Sequence, residues 1–152
     1  MPLSRWVQVK LPHIFERMLG FSLPVNGNIA IISYEGIHVV NVEGAVTARH
    51  DRTKPEGGDL YDDKRGVLNY NGVEYNILGV YGGKGILESE TGEKLHLDLT
   101  RGRFVVSEEI GNTTISYSFK DMSGDWAKLT FSEDSRYILL GMPCELYVYK
   151  RP

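Results

Sequence analysis

The stretch that decides the fold runs from residue 131 to residue 149 and reads FSEDSRYILLGMPCELYVY. It contains a Phe-Ser pair, a polar turn, an apolar segment, a short break and a second apolar segment. The same arrangement occurs in residues 21 to 40, which read FSLPVNGNIAIISYEGIHVV. Each copy predicts two β-strands joined by a tight connection. Because a recurring supersecondary unit is the sequence signature of repeat architectures, the two copies predict a fold built from similar β hairpins.

The segments between the two copies carry the same kind of signal. Asn71-Gly72 separates two alternating segments and suits a type I′ turn, which needs positive φ at both central residues. Thr91-Gly92 and Gly111-Asn112 are further turn signals between short strands. The chain thus reads as about a dozen short strands, the pattern of a sandwich, barrel or propeller. Since tight turns join the strands, we expect neighbouring strands to pair antiparallel.

Residues 12 to 20 are the best candidate for a helix. Pro12 suits a first helical turn, Gly20 suits a C-cap, and one helical face is apolar, with Ile14, Phe15, Met18 and Leu19. The predicted fold class is therefore all-β and antiparallel, with one short N-terminal helix.

Length and composition indicate a single globular domain over residues 1–152. The charged fraction is 24%, the formal net charge is −3, and no apolar run approaches the ~20 residues that span a bilayer. Nucleic acid is disfavoured as a partner, because neutralising phosphates requires clustered Lys and Arg. A membrane partner is not expected either. The single Cys144 cannot form an internal disulfide, and we expect a cytoplasmic protein.

Residues 50 to 66 are the most polar part of the chain and are predicted to form a long loop. Long loops in compact domains are commonly functional or disordered. Carboxylate and imidazole groups suit a divalent ion or a small ligand. The candidate ligand-binding residues are His50, Asp51, Asp59, Asp62 and Asp63. Interleaved Arg and Lys residues offer an alternative, a solvated loop of mixed charge, and the sequence leaves any metal unknown.

Two other features bear on function. Gly82-Gly83-Lys84-Gly85 is similar to a phosphate-gripping loop but lacks the Gly-Lys-Ser/Thr ending, so a glycine-rich turn or bulge is the simpler interpretation. Tyr147 and Tyr149 alternate with Val148 and are candidates for an aromatic interface, with burial in the core as the alternative. No catalytic constellation is evident, so no catalytic residue and no cofactor is predicted.

Residues 129–141 and 145–149 resemble the inner-strand pair of a blade in WD-repeat and related β-propellers. In that family a Phe-Ser pair packs under a turn before an apolar strand. This chain departs from the family pattern, because Ser135-Arg136 stands where Asp-Gly is usual, no Gly-His precedes the unit and no Trp-Asp closes it. The resemblance covers roughly 45 residues over both copies. It implies a surface that binds other proteins, and it carries over no functional residue.

Length limits the propeller interpretation, because four blades of ~40 residues need about 160 residues. We therefore expect a partial or small propeller, with a β-sandwich or β-barrel built from similar hairpins as the alternative. The expected function is a non-catalytic binding or scaffolding module. Its partner is another protein or a second copy of itself, through strand edges or an aromatic face. The alternative is a small-molecule-binding β-barrel or a β-fold enzyme, with its site near the 50–66 loop.

Overall fold

The computed structural model describes residues 5–51, 61–100, 103–120 and 126–152. Within these ranges the chain forms fourteen β-strands and no helix. No helix in the described ranges is therefore long and apolar enough to cross a membrane. The strands are β1 (Val7–Val9), β2 (Met18–Ser22), β3 (Asn28–Ser33), β4 (Gly36–Asn41), β5 (Val46–Asp51), β6 (Tyr61–Asp62), β7 (Val67–Tyr70), β8 (Val73–Gly79), β9 (Lys94–Thr100), β10 (Arg103–Ile110), β11 (Thr113–Lys120), β12 (Lys128–Phe131), β13 (Tyr137–Met142) and β14 (Glu145–Lys150).

The strands form three antiparallel sheets. A four-stranded sheet has the order β1-β14-β13-β12, a three-stranded sheet β11-β10-β9, and a seven-stranded sheet β5-β4-β3-β2-β8-β7-β6. One of the sheets is strongly curled into a half-barrel. β1 pairs with β14, so the first and last strands meet in one sheet. The prediction of an all-β, antiparallel domain is confirmed, while a propeller arrangement stays a prediction.

The four-stranded sheet is buried on both faces. Along β13, Ile138 and Leu140 pack in a core with Phe104 of the three-stranded sheet. Leu139 points the other way and packs in a second core with Phe21 of the seven-stranded sheet. Successive side chains of a strand lie on opposite faces, so one strand contributes to two cores. The four-stranded sheet therefore lies between the other two.

The seven-stranded sheet also contributes to two cores. Ile29 and Ile31 of β3 face the core shared with the four-stranded sheet. Ala30 and Ile32 face a third core, which is built from residues of the seven-stranded sheet itself. Burial on both faces explains the unbroken apolar run from Ile29 to Ile32, because none of these positions faces water.

The two copies of the repeated sequence unit, residues 21–40 and 131–149, have the same structure. β2, β3 and β4 form one antiparallel meander, and β12, β13 and β14 form the other. In the first copy the Ser22 hydroxyl accepts a hydrogen bond from the Ala30 amide at 2.9 Å. In the second, the Ser132 hydroxyl accepts one from the Tyr137 amide at 3.0 Å. The serine of each Phe-Ser pair thus satisfies a backbone donor where the next strand begins.

The predicted helix over residues 12 to 20 is wrong. Residues 10–17 are irregular, and Met18–Ser22 is strand β2, paired with β3 on one side and β8 on the other. Gly20 is required there, because a Cβ at this position would lie 2.6 Å from Cγ2 of Ile77. The apolar spacing of this segment fits a helix face and a doubly buried strand equally well. Pairing with two neighbouring strands decides between them.

We expect Gly141→Ala to destabilise the protein by ~1–3 kcal/mol, the usual range for overpacking. A Cβ at residue 141 would lie 2.3 Å from Cε1 of Phe21, whose side chain is fully buried and has no room to move. Chemical denaturation of the single variant checks the size of the effect. Phe21→Leu should cost less in the Gly141→Ala background than in the wild type, because the smaller side chain relieves the clash. Additive effects of the two substitutions would contradict this close contact.

Candidate functional site

A cleft of about 340 Å³ lies between the turn that follows β6 and the glycine-rich loop that follows β8. The floor of the cleft is formed by apolar residues, and its charged lining residues lie on the rim. The described lining residues are Leu23, Asp63, Lys64, Arg65, Gly66, Asn76, Ile77, Leu78, Tyr81, Gly83 and Lys84. The cleft thus joins the end of the predicted 50–66 loop to the glycine-rich segment at residues 82 to 85.

The turn on one side of the cleft is held by Asp62. Its Oδ1 accepts hydrogen bonds from the Lys64 amide at 3.1 Å and from the Arg65 amide at 3.2 Å. Gly66 follows with a φ of 68°, and its carbonyl accepts a hydrogen bond from the Ile77 amide at 2.8 Å. The Asp62 carboxylate therefore fixes the turn against β8, which is the usual role of aspartate at such positions.

The loop on the other side needs its glycines. Gly79 and Gly82 exchange backbone hydrogen bonds at 2.9 and 3.0 Å, which reverses the chain after β8. Gly83 has a φ of 94°, and a Cβ there would lie 2.6 Å from the carbonyl oxygen of Ile77. Only glycine combines this backbone conformation with such a close approach. Within the described residues the amides of Gly83 and Lys84 donate no hydrogen bond, so both donors are available to a ligand.

The rim of the cleft is positively charged, although the chain as a whole carries a net charge of −3. Lys64, Arg65 and Lys84 are exposed, and Asp63 supplies the one carboxylate among the described residues that line the cleft with them. Arg65 lies 3.7 Å from Glu74, but both side chains are more than half exposed. Solvent screens this pair strongly, so Glu74 neutralises little of the positive charge that Arg65 presents to a ligand.

Two tyrosines form an aromatic wall beside the cleft. The ring centroids of Tyr61 and Tyr81 are 6.1 Å apart with the planes tilted by 48°. Tyr61 is buried, and burial together with the nearby carboxylate of Asp63 raises its pKa to about 12. Tyr81 is 49% exposed. Its ring thus presents a flat apolar surface at the edge of a charged cleft.

The predicted ligand-binding residues are only partly brought together. Asp62 ends β6, and Asp63 begins the turn that follows it. His50 and Asp51 end β5, which stands at the opposite end of the sheet order from β6, and Asp59 lies outside the described residues. In the described ranges no group of three or more His, Cys, Asp or Glu residues is placed to hold a metal ion.

The two tyrosines predicted as an interface lie against the core. Tyr149 is 1% exposed and packs between the four-stranded and three-stranded sheets. Tyr147 is half-buried, stacks on Tyr149 at 6.4 Å and contacts Phe119 at 5.3 Å. Burial raises the pKa of both phenols. The structure thus fits the burial alternative, and Tyr149 offers almost no surface to a partner.

A second polar cluster, which the sequence analysis did not identify, closes the open end of this core. The Arg151 guanidinium lies 4.6 Å from the centroid of the Trp6 ring. It donates hydrogen bonds to both carboxylate oxygens of Glu93, one of them at 3.2 Å, and to the Ser135 carbonyl at 2.7 Å. Trp6 in turn donates to the buried Glu108 carboxylate at 2.9 Å. Arg151, Glu93 and the Ser135 carbonyl satisfy one another and form a structural clasp, whereas Oε1 of the buried Glu108 has no hydrogen-bond partner among the described residues.

We expect Glu93→Gln to destabilise the protein at neutral pH and to lose most of that effect in acid. The hydrogen bonds from Arg151 hold the pKa of the buried Glu93 below its ordinary value. The stabilisation is therefore fully present above the unfolded pKa of ~4.3 and is lost as the pH falls through the folded pKa. Urea denaturation of variant and wild type at about pH 7 and pH 3 measures the difference. The exposed Glu90→Gln is the control, and an equal difference at both pH values for Glu93→Gln would contradict the clasp.

Comparison with known protein families, with curated proteins and with solved structures finds no match to this chain. The resemblance to a WD-repeat blade therefore has no support beyond the residues that suggested it.

Proposed function

We propose that the protein is a non-catalytic binding module that holds a small ligand with an anionic group and a flat apolar part. The ligand occupies the cleft between the turn at residues 63–66 and the loop at residues 82–85. The observation that carries the proposal is the convergence of Lys64, Arg65 and Lys84 around an apolar floor.

The charges on the rim of the cleft are the reason to propose that the ligand carries an anionic group. Unlike charges at 4 Å attract by about 1 kcal/mol in bulk water and about 4 kcal/mol at the effective dielectric of a protein surface. Among the described lining residues, three cationic side chains against one carboxylate leave the cleft attractive to an anion. Arg65 can bind a carboxylate or phosphate with two parallel hydrogen bonds, while lysines act as point charges. The amides of Gly83 and Lys84, which donate no hydrogen bond within the described residues, add donors of the kind that line phosphate sites.

The apolar floor of the cleft and the tyrosine wall beside it are the reason to propose that the ligand has a flat apolar part. Leu23, Ile77 and Leu78 line the cleft as nearly buried side chains, and Tyr81 offers an exposed ring, which supplies most of the apolar surface. A volume of about 340 Å³ lies at the lower end of the range for small-molecule sites. An aryl phosphate or aryl carboxylate matches both requirements. Its ring can pack on Tyr81 while its anionic group meets the rim.

Binding is favoured over catalysis by the residue types that line the cleft. None of its described lining residues is a His, Cys or Ser, and Asp63 is the one carboxylate among them. A nucleophile with an adjacent base, or a pair of catalytic carboxylates, would need more than these side chains supply.

We expect the double variant Lys64→Gln, Lys84→Gln to bind phenyl phosphate at least tenfold more weakly than the wild type, about 1.4 kcal/mol. Both lysines are exposed, so the fold should be unaffected. Isothermal titration calorimetry with phenyl phosphate gives the affinities. The matched control is Lys94→Gln, Lys150→Gln, which changes the net charge equally at exposed positions that do not line the cleft. Equal weakening in the control, or no saturable binding by the wild type, would contradict the proposal.

We expect Tyr81→Ala to weaken binding of phenyl phosphate while leaving binding of inorganic phosphate unchanged. The substitution removes the ring surface but keeps the cationic rim. The same titrations with the two probes separate the apolar contribution from the electrostatic one. Tyr34→Ala is the control, because Tyr34 is exposed to a similar degree and does not line the cleft. Equal loss for both probes would show that Tyr81 does not contact the aryl group.

A further inference from the structure

Strand β11 is an unprotected sheet edge within the described part of the chain. It is eight residues long and pairs with β10 on one side only. Its pairing with β10 is continuous from Thr113 to Lys120, without a bulge. Residues 113–119 read TTISYSF and contain no proline, glycine or charged residue. Natural proteins usually place such features on an edge to prevent pairing with another chain.

The other strand edges in the described ranges are short, charged or covered. β1 and β6 have three and two residues. β5 carries Arg49 and ends at Asp51. The segment at residues 86–88 pairs with part of each remaining edge: Leu87 accepts a hydrogen bond from the Leu95 amide of β9, and Ile86 accepts one from the Phe131 amide of β12. The rest of β9 carries the exposed, polar His96 and Asp98. β11 alone combines length, neutrality and an open side.

We propose that two copies of this chain associate through β11, antiparallel and around a two-fold axis at Ser116. The three-stranded sheets of the two copies then join into one continuous six-stranded sheet. In this register Ser116 faces Ser116 of the second copy, Ile115 faces Tyr117, and Thr114 faces Ser118. The same surface serves both copies, which is the arrangement of a closed isologous dimer.

The pairing matches the two faces of the sheet. Thr114 and Ser116 are exposed, so the hydroxyl pairs lie on the face that is already in water. Tyr117 is buried and Ile115 half-buried against the core, so the Ile-Tyr pairs continue the apolar face. Hydroxyl pairs and aromatic–β-branched pairs are both favourable across antiparallel strands.

A second copy is the favoured occupant because β11 complements itself in this register. No like charges meet along residues 113–119, so nothing in the strand opposes self-pairing. One pair of eight-residue strands buries less than the ~1,200 Å² of stable interfaces, so we expect a weak dimer that forms with rising concentration.

Analytical ultracentrifugation over a range of concentrations tests the proposal. We expect a reversible monomer–dimer equilibrium for the wild type. Ser116→Lys and Ser116→Glu should each be monomeric, because residue 116 faces its own copy and equal charges repel. An equimolar mixture of the two variants should dimerise again, since Lys then faces Glu. Recovery in the mixture distinguishes direct contact at residue 116 from damage to the fold.

The control is His96→Lys, which adds a charge to β9 at the opposite edge of the same sheet and should leave the dimer intact. The cleft variant Lys64→Gln, Lys84→Gln should also dimerise as the wild type does. The test of the dimer is therefore independent of the test of the proposed ligand. A wild type that stays monomeric up to a protein concentration of ~0.5 mM would overturn the proposal. So would a Ser116→Lys variant that dimerises normally, or a mixture that stays monomeric.

Discussion

The rest of the structure depends on a sheet that is buried on both faces. The four side chains of β13 from Ile138 to Met142 each lie in one of two cores, so none of these positions would expose a polar side chain to water. Burying one large aliphatic side chain contributes roughly 1.5–3 kcal/mol, and β13 contributes on both sides at once. The same requirement makes Gly141 necessary, because the Phe21 ring of the neighbouring sheet occupies the space of a side chain.

A doubly buried strand also needs hydrogen-bond partners for the backbone N–H groups near its start, because water cannot reach them. The Phe-Ser pair meets this need in the same way in both copies, with a serine hydroxyl that accepts from the amide at residue 30 or 137. The two turns also face each other across a cavity of about 240 Å³, lined on one side by Asn26 and on the other by Asp134. The repetition in the sequence thus reflects one local solution used on two sheets that pack together.

Local chemistry could be predicted from the sequence, and long-range placement could not. Asn71 and Gly72 adopt φ values of 52° and 78°, as the type I′ prediction requires, because the turn is determined by its own residues. The conformation of residues 18 to 20 could not be predicted locally, because pairing with β3 and β8 makes them part of a strand. The cleft was visible only as two separate loops. Its lysines at positions 64 and 84 come together through the β7–β8 hairpin, and Glu93 meets Arg151 across 58 residues.

The doubly buried sheet also determines where binding can occur. Its side chains are committed to packing, so the surfaces open to partners belong to the outer layers. The cleft lies on loops of the seven-stranded sheet, and β11 lies at the edge of the three-stranded sheet. The proposed dimer joined at β11 would carry one cleft on each copy, with the packed central sheet of each copy between that cleft and the joined edge. If both proposals hold, two identical clefts on one particle would favour a target that presents its anionic group more than once, because the second contact would form at high effective concentration.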